Sequence, residues 1–134
     1  LAVVTNAGTP AVTIYSLGSE VDGYELQAEM DDVSTAASTF TVVPFAGKIR
    51  KVQSILHGAI TVGDAVITVT TSVGAITETI TIAQSGSAAG DVDSMVPADH
   101  ANVVVAKGTK IELASDGGST DAARATFVIE IERT

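Results

Sequence analysis

Ala125-Thr126-Phe127-Val128-Ile129-Glu130-Ile131-Glu132-Arg133, near the end of the chain, is the stretch that decides the fold class. Phe127, Ile129 and Ile131 fall on one side of an extended backbone, and Thr126, Glu130 and Glu132 on the other. Val128 is the single apolar residue on the outer side. A repeat of two belongs to a half-buried strand, whereas a helix would scatter the same residues around its axis.

Moving upstream, further strand patterns follow at the spacing typical of sandwiches and barrels. Asp116-Gly117-Gly118-Ser119 is the strongest turn, because glycine reaches positive φ without steric cost. Before it lie Lys110–Leu113 and Val103–Val105, separated by the turn Lys107-Gly108-Thr109. Val92–Val96 is another short strand, and residues 97–102 form a loop or a single helical turn. Ile76–Ile82 places Ile76, Ile80 and Ile82 on one face and its threonines on the other. It pairs as a hairpin with Ala65–Thr71 through Ser72–Ala75. Ile49–His57 collects its apolar residues on no single face, which predicts a bulge. Thr39–Val43 is a β-branched run ended by Pro44.

About eight strands and no helix lie beyond Thr39, a pattern that two packed antiparallel sheets bury on one face each. The expected fold is all-β, an antiparallel two-sheet sandwich, with an eight-stranded jelly roll first and an immunoglobulin-like sandwich as alternative. The cysteine and tryptophan hallmarks of the latter are missing. Residues 1–35 are polar, acidic and weakly periodic. They read as an N-terminal extended arm or edge hairpin, and residues 36–134 as the jelly-roll domain. Within the first segment, Tyr24, Leu26, Ala28 and Met30 share one face of an extended run.

Composition narrows the function. The chain has 134 residues, 46% of them apolar, enough for one domain with a real core. Without cysteine there is no disulfide, thiolate metal site or cysteine nucleophile. No apolar run is long enough for a transmembrane helix, and no leader pattern opens the sequence. Sixteen acidic residues against seven basic ones leave a net charge of −9, which repels nucleic acid and anionic membrane. No basic residue precedes Lys48, after which Lys48, Arg50 and Lys51 arrive together. That cluster is the candidate partner-binding site, against the plainer reading of ordinary surface charge.

Ala83-Gln84-Ser85-Gly86-Ser87-Ala88-Ala89-Gly90-Asp91-Val92-Asp93-Ser94 has the look of an active loop, yet it fits none. A phosphate loop needs lysine where Asp91 stands. A nucleophile elbow needs serine at the third position, and Ser87 is at the second. Hydrolysis would further need an imidazole, and His57 and His100 are the only two. Asp91, Asp93 and Asp99 offer oxygens to calcium, but too few for an EF-hand loop. The expectation is therefore no enzyme, no cofactor and no metal, with Asp91 and Asp93 facing solvent or a neighbouring subunit.

Four segments carry a resemblance: VPFAGKIRKVQSILHGAITVGDAVITV (Val43–Val69), ITIAQSGSAAGDVDS (Ile80–Ser94), IELASDGGST (Ile111–Thr120) and VIEIER (Val128–Arg133). Their entry Pro-x-Ala-Gly, their Gly-Ala-Ile-Thr turn, their Gly-Ser-Ala-Ala-Gly-Asp-Val loop and their Asp-Gly-Gly-Ser turn resemble those of tailed-bacteriophage capsid cement (head decoration) proteins. The resemblance implies a jelly-roll virion protein on the outer surface of the head, stabilising a major capsid protein of the HK97-like fold. It also implies a homo-oligomer, dimer or trimer, on a capsid symmetry axis. The alternative from the fold class is a receptor- or carbohydrate-binding sandwich of a phage tail or fibre.

Overall fold

The computed structural model describes residues 12–17 and 21–134, with side chains from residue 23 onward. It is an all-β sandwich of two antiparallel sheets. Across the first sheet run β1 (Val12–Leu17), β2 (Val21–Met30), β10 (Ala125–Arg133), β4 (Gly47–Leu56) and β7 (Val92–Met95). The two-residue β8 (Val104–Val105) joins the same side of β4 as β7, beside Gly47 and Lys48. The second sheet runs β3 (Ala36–Val42), β9 (Lys110–Asp116), β5 (Ala65–Thr70) and β6 (Ala75–Ile82).

The pairing is nested. β2 pairs with β10, β3 with β9, β4 with β7 and β5 with β6, all antiparallel and in alternating sheets. A long ribbon folded on itself and wrapped in this way is a jelly roll. Its first strand is β2, inside the segment read as arm or hairpin. β1 and β8 are additions outside the nest. The N-terminal hairpin is thus seated in the first sheet, from Val12 opposite Leu26 to Leu17 opposite Val21.

The alternating faces pack as their sequence requires. Phe127, Ile129 and Ile131 of β10 are buried, as are Tyr24, Leu26, Ala28 and Met30 of β2. They meet Ile67 and Val69 of β5, Ile76, Ile80 and Ile82 of β6, and Ile111 and Leu113 of β9 in one core. The bulge predicted in β4 sits at Arg50. Lys51 lies opposite Glu130 and Ile49 opposite Ile131, which leaves Arg50 as the extra residue. Residues 101–103 form a single 3-10 turn, and His100 caps it by accepting from Asn102 N.

There is no room for a side chain at Gly47. A Cβ there would stand 2.4 Å from the Glu132 carbonyl oxygen. Close by, the Tyr24 hydroxyl donates to the Phe45 carbonyl. The Phe45 ring meets Tyr24 edge-on at 5.9 Å and carries the Arg133 guanidinium at 4.6 Å on its face. Burial pushes the Tyr24 hydroxyl pKa up to about 12, so it stays a neutral donor.

Candidate functional site

Strand direction carries four loops to one end of the sandwich: residues 31–35, 57–64, 83–91 and 117–124. Three of the four turn motifs noted in the sequence lie here. Gly58 and Ser119 are roughly 60 residues apart and share no local register. The loops nevertheless interlock. Thr61 and Thr120 exchange backbone hydrogen bonds of 2.9 Å in both directions. Ser119 Oγ donates to the Thr61 carbonyl at 3.1 Å. Ser87 Oγ accepts from Ile60 N and donates to Ile60 O, each at 3.0 Å. Gly90 N donates to Leu56 O, and Leu56 N to Asp91 O.

Glycine is required at two of these contacts. A Cβ on Gly63 would lie 2.5 Å from the Gly118 carbonyl oxygen, and one on Gly117 would lie 2.6 Å from Ala36 N. Gly117 also has a φ of 73°, in the left-handed region. Val62, by contrast, holds a φ of 75° with a β-branched side chain that is 82% exposed. That conformation is strained for valine, and the neighbouring bonds of Thr61 and Gly63 hold it.

Aspartates fasten the loops. Asp64 Oδ1 accepts from Gln84 N at 2.8 Å, Asp91 Oδ2 from Ala88 N at 2.8 Å, and Asp121 Oδ2 from Thr61 Oγ1 at 2.7 Å. Asp116 Oδ1 accepts from Val66 N and Gly118 N. Asp32 Oδ1 accepts from Ser34 Oγ at 2.6 Å, from Ser34 N at 2.9 Å and from Ala123 N at 3.3 Å. The Ser34 hydroxyl, with the two backbone donors, holds the Asp32 carboxyl below its usual range. Asp93 goes the other way. Burial, and then the charges of Asp91 and Asp64, raise its pKa. It lies half-buried opposite Ser54, whose hydroxyl is buried with no hydrogen-bond partner among the described residues.

The candidate chemistry of the Ala83–Ser94 loop is dispersed by this geometry. Ser87 is committed to the Ile60 backbone. His57 Nε2 meets Thr126 Oγ1 at 2.8 Å, while its Nδ1 accepts from Arg124 at 3.5 Å. His100 stands at the opposite end, with Nδ1 accepting from Asn102 N and Nε2 3.5 Å from Glu78. Asp99 is also at that end. Among the described residues no three metal-ligating side chains converge.

The basic cluster belongs to the far end and outer face of the first sheet. Lys48 pairs with Asp99 at 3.1 Å, and Arg50 Nε with Glu132 at 2.6 Å. Lys51 stands in register with Glu130 and, beyond it, Glu25. Lys48 holds Asp99 below the usual carboxylate range. Both pairs are substantially exposed, so water and salt screen them and neither carries much of the stability. The sequence shows the three cations. It does not show that two of them have acidic partners roughly 50 to 80 residues away.

A further feature has little signature in the sequence. Between the ends of β2 and β3 lies a groove of about 400 Å³, lined by Glu29, Met30, Asp31, Asp32, Thr35, Ala37, Ser38 and Thr39. Its one local sign is the Asp31-Asp32 pair ahead of a strand free of charge.

A scan against protein-family models finds no match to this chain, and a search of curated proteins finds none either. Among solved structures, it is similar to the carbohydrate-binding module CsCBM6-3 of Clostridium stercorarium, determined in complex with cellobiose. That similarity has a TM-score of 0.46 at 16% identity, covering 95% of this chain and 84% of that one. It is also similar to the enzymatically active domain of tailspike protein 4 of bacteriophage CBA120. There the TM-score is 0.37 at 12% identity, covering 98% of this chain and 18% of that one, so this chain spans under a fifth of the tailspike chain. At these scores neither neighbour assigns a role to the chain.

Proposed function

We propose that the chain is a non-enzymatic structural protein of a phage particle, a cement or decoration protein. It binds the outer surface of the head and stabilises the shell of major capsid protein. The supporting observation is the interlocking of the motif turns. Gly58–Thr61, Gly86–Asp91 and Asp116–Ser119 each amount to turn chemistry, but hydrogen bonds between them make one physical unit. Three of the four turns that carry the resemblance thus sit together in the fold. Attachment to a shell suits such a domain, because many symmetric copies convert modest contacts into a firm hold. In this reading the chain acts as a homo-oligomer at a symmetry axis, with Lys48, Arg50 and Lys51 near its contacts.

A second reading, a receptor- or carbohydrate-binding module of a tail or fibre, has Phe40 in its favour. This ring is 52% exposed, and sugar sites stack on exposed rings. It carries Lys110 Nζ 5.1 Å from its centre, and Tyr24 and Phe127 are buried in the core. One experiment separates the two readings. Purified protein is mixed with tailless expanded heads and, in parallel, with immobilised glycans. Saturable co-sedimentation with heads at micromolar concentration supports the first reading. Retention on glycans without head binding overturns it in favour of the second.

A further inference from the structure

We propose that the open edge of β3 is a docking site for an extended, basic segment of a partner protein, which adds a strand to the second sheet. Among the described residues β3 lies at the border of that sheet, paired with β9 alone. Val43 N donates to Thr109 O and Val43 O accepts from Gly108 N, both at 2.8 Å and both on the β9 side. Backbone groups alternate along a strand, so Ser38, Phe40 and Val42 turn their N–H and C=O groups to the open side. The strand Ala-Ala-Ser-Thr-Phe-Thr-Val contains no charge and no proline, the usual guards of a sheet edge. Phe40 and Val42 are 52% and 61% exposed, which gives an incoming strand apolar side chains to cover.

Charge selects the partner. The groove of about 400 Å³ continues the β3 edge beyond Ser38, and Glu29, Asp31 and Asp32 line it without a basic residue among the lining. β1 covers β2 only as far as Leu26, so among the described residues the β2 edge over Gln27–Met30 is open as well. An antiparallel segment would set apolar residues beside Phe40 and Val42 and its C-terminal side in this acidic groove. Lysine or arginine there complements three carboxylates, whereas the basic cluster of a second copy, Lys48, Arg50 and Lys51, is held in the interior strand β4 with Lys48 and Arg50 already paired to Asp99 and Glu132.

Strand docking goes beyond head decoration and is tested on the isolated chain, so either can fail alone. The probe is the carboxamidated peptide VTVTVTKK, with VTVTVTEE as its control. Expected are slowed amide exchange at Ser38, Phe40 and Val42 with the lysine peptide, and a Kd at least about tenfold weaker for the glutamate peptide. Ser38→Pro removes an outward backbone donor and leaves the backbone ladder to β9 in place, losing only the exposed Ser38 Oγ bond to Glu112. It should weaken binding by about tenfold or more while leaving the melting temperature within a few degrees. Asp31→Lys, which leaves the backbone edge intact, should discriminate against the lysine peptide alone. Equal binding by Ser38→Pro, equal affinity for both peptides, protection at another edge, no binding at millimolar peptide, or dimerisation through β3 would each overturn the proposal.

Discussion

Asp93 and Asp32 stand at the same end of the sandwich and respond to it in opposite ways. Asp32 has its pKa lowered by the Ser34 hydroxyl and by backbone donors, so the folded state favours its charge. Its contribution is present above the ordinary aspartate value of about 4 and disappears as pH falls through the lowered folded value. Asp93 is raised by burial and by neighbouring carboxylates, so its charge opposes folding at neutral pH. That penalty lifts as pH falls through the raised value. Asp93→Asn should therefore melt higher than the parent at pH 7, with the gap closing on acidification. Asp32→Asn should melt lower at pH 7, and its gap should close only at more acidic pH. Thermal melts from about pH 2 to about pH 8 span the carboxylate range and check both signs. Val62→Gly should add about 1 kcal/mol by relieving its positive φ, read as a rise in denaturant midpoint.

At the scale of elements, strand faces are legible in the sequence and strand partners are not. The alternation of Phe127, Ile129 and Ile131, and of Tyr24, Leu26, Ala28 and Met30, marks two faces by its period alone, and both are buried. The irregular pattern of Ile49–His57 announces a bulge, and Arg50 supplies it. The same local pattern cannot report which strand pairs with which. Hence β2, the first strand of the roll, reads as part of an arm or hairpin, because its place beside β10 depends on residues about a hundred positions away. The loops are legible as turns through their glycines, but their fastening is not. Ser87 gives no local sign that Ile60 is its partner. Ser87→Ala should leave Ile60 N without its side-chain acceptor and lower stability by about 1 kcal/mol. Faster amide exchange in residues 57–64 and 84–91, with β3 and β9 unchanged, is the expected pattern. Gly117→Ala should cost more, since it combines positive φ with a clash at Ala36 N.

At the scale of the molecule, the single core fixes where disruption is felt. Phe127 is wholly buried in the central strand of the first sheet, and Phe127→Ala should destabilise by about 3–5 kcal/mol. A urea titration would show the midpoint shift, with both sheets lost together. Ionic contacts at the surface should matter little by comparison. Lys48→Ala removes its pairing with Asp99 and should leave the urea midpoint nearly unmoved. Should the same substitution abolish head binding, the basic cluster would be assigned to the shell contact.

The central position of β10 has a consequence for the order of assembly. β10 lies between β2 and β4, so the first sheet has a gap in its middle until the latest strand in sequence arrives. A growing chain could close β5 on β6 locally, but its outer wraps must wait until β10 has been made. Contacts of such long sequence separation slow folding, to milliseconds or seconds by order of magnitude. During that interval the facing edges of β2 and β4 are exposed to other nascent chains, and crowded synthesis should favour aggregation over refolding from dilution.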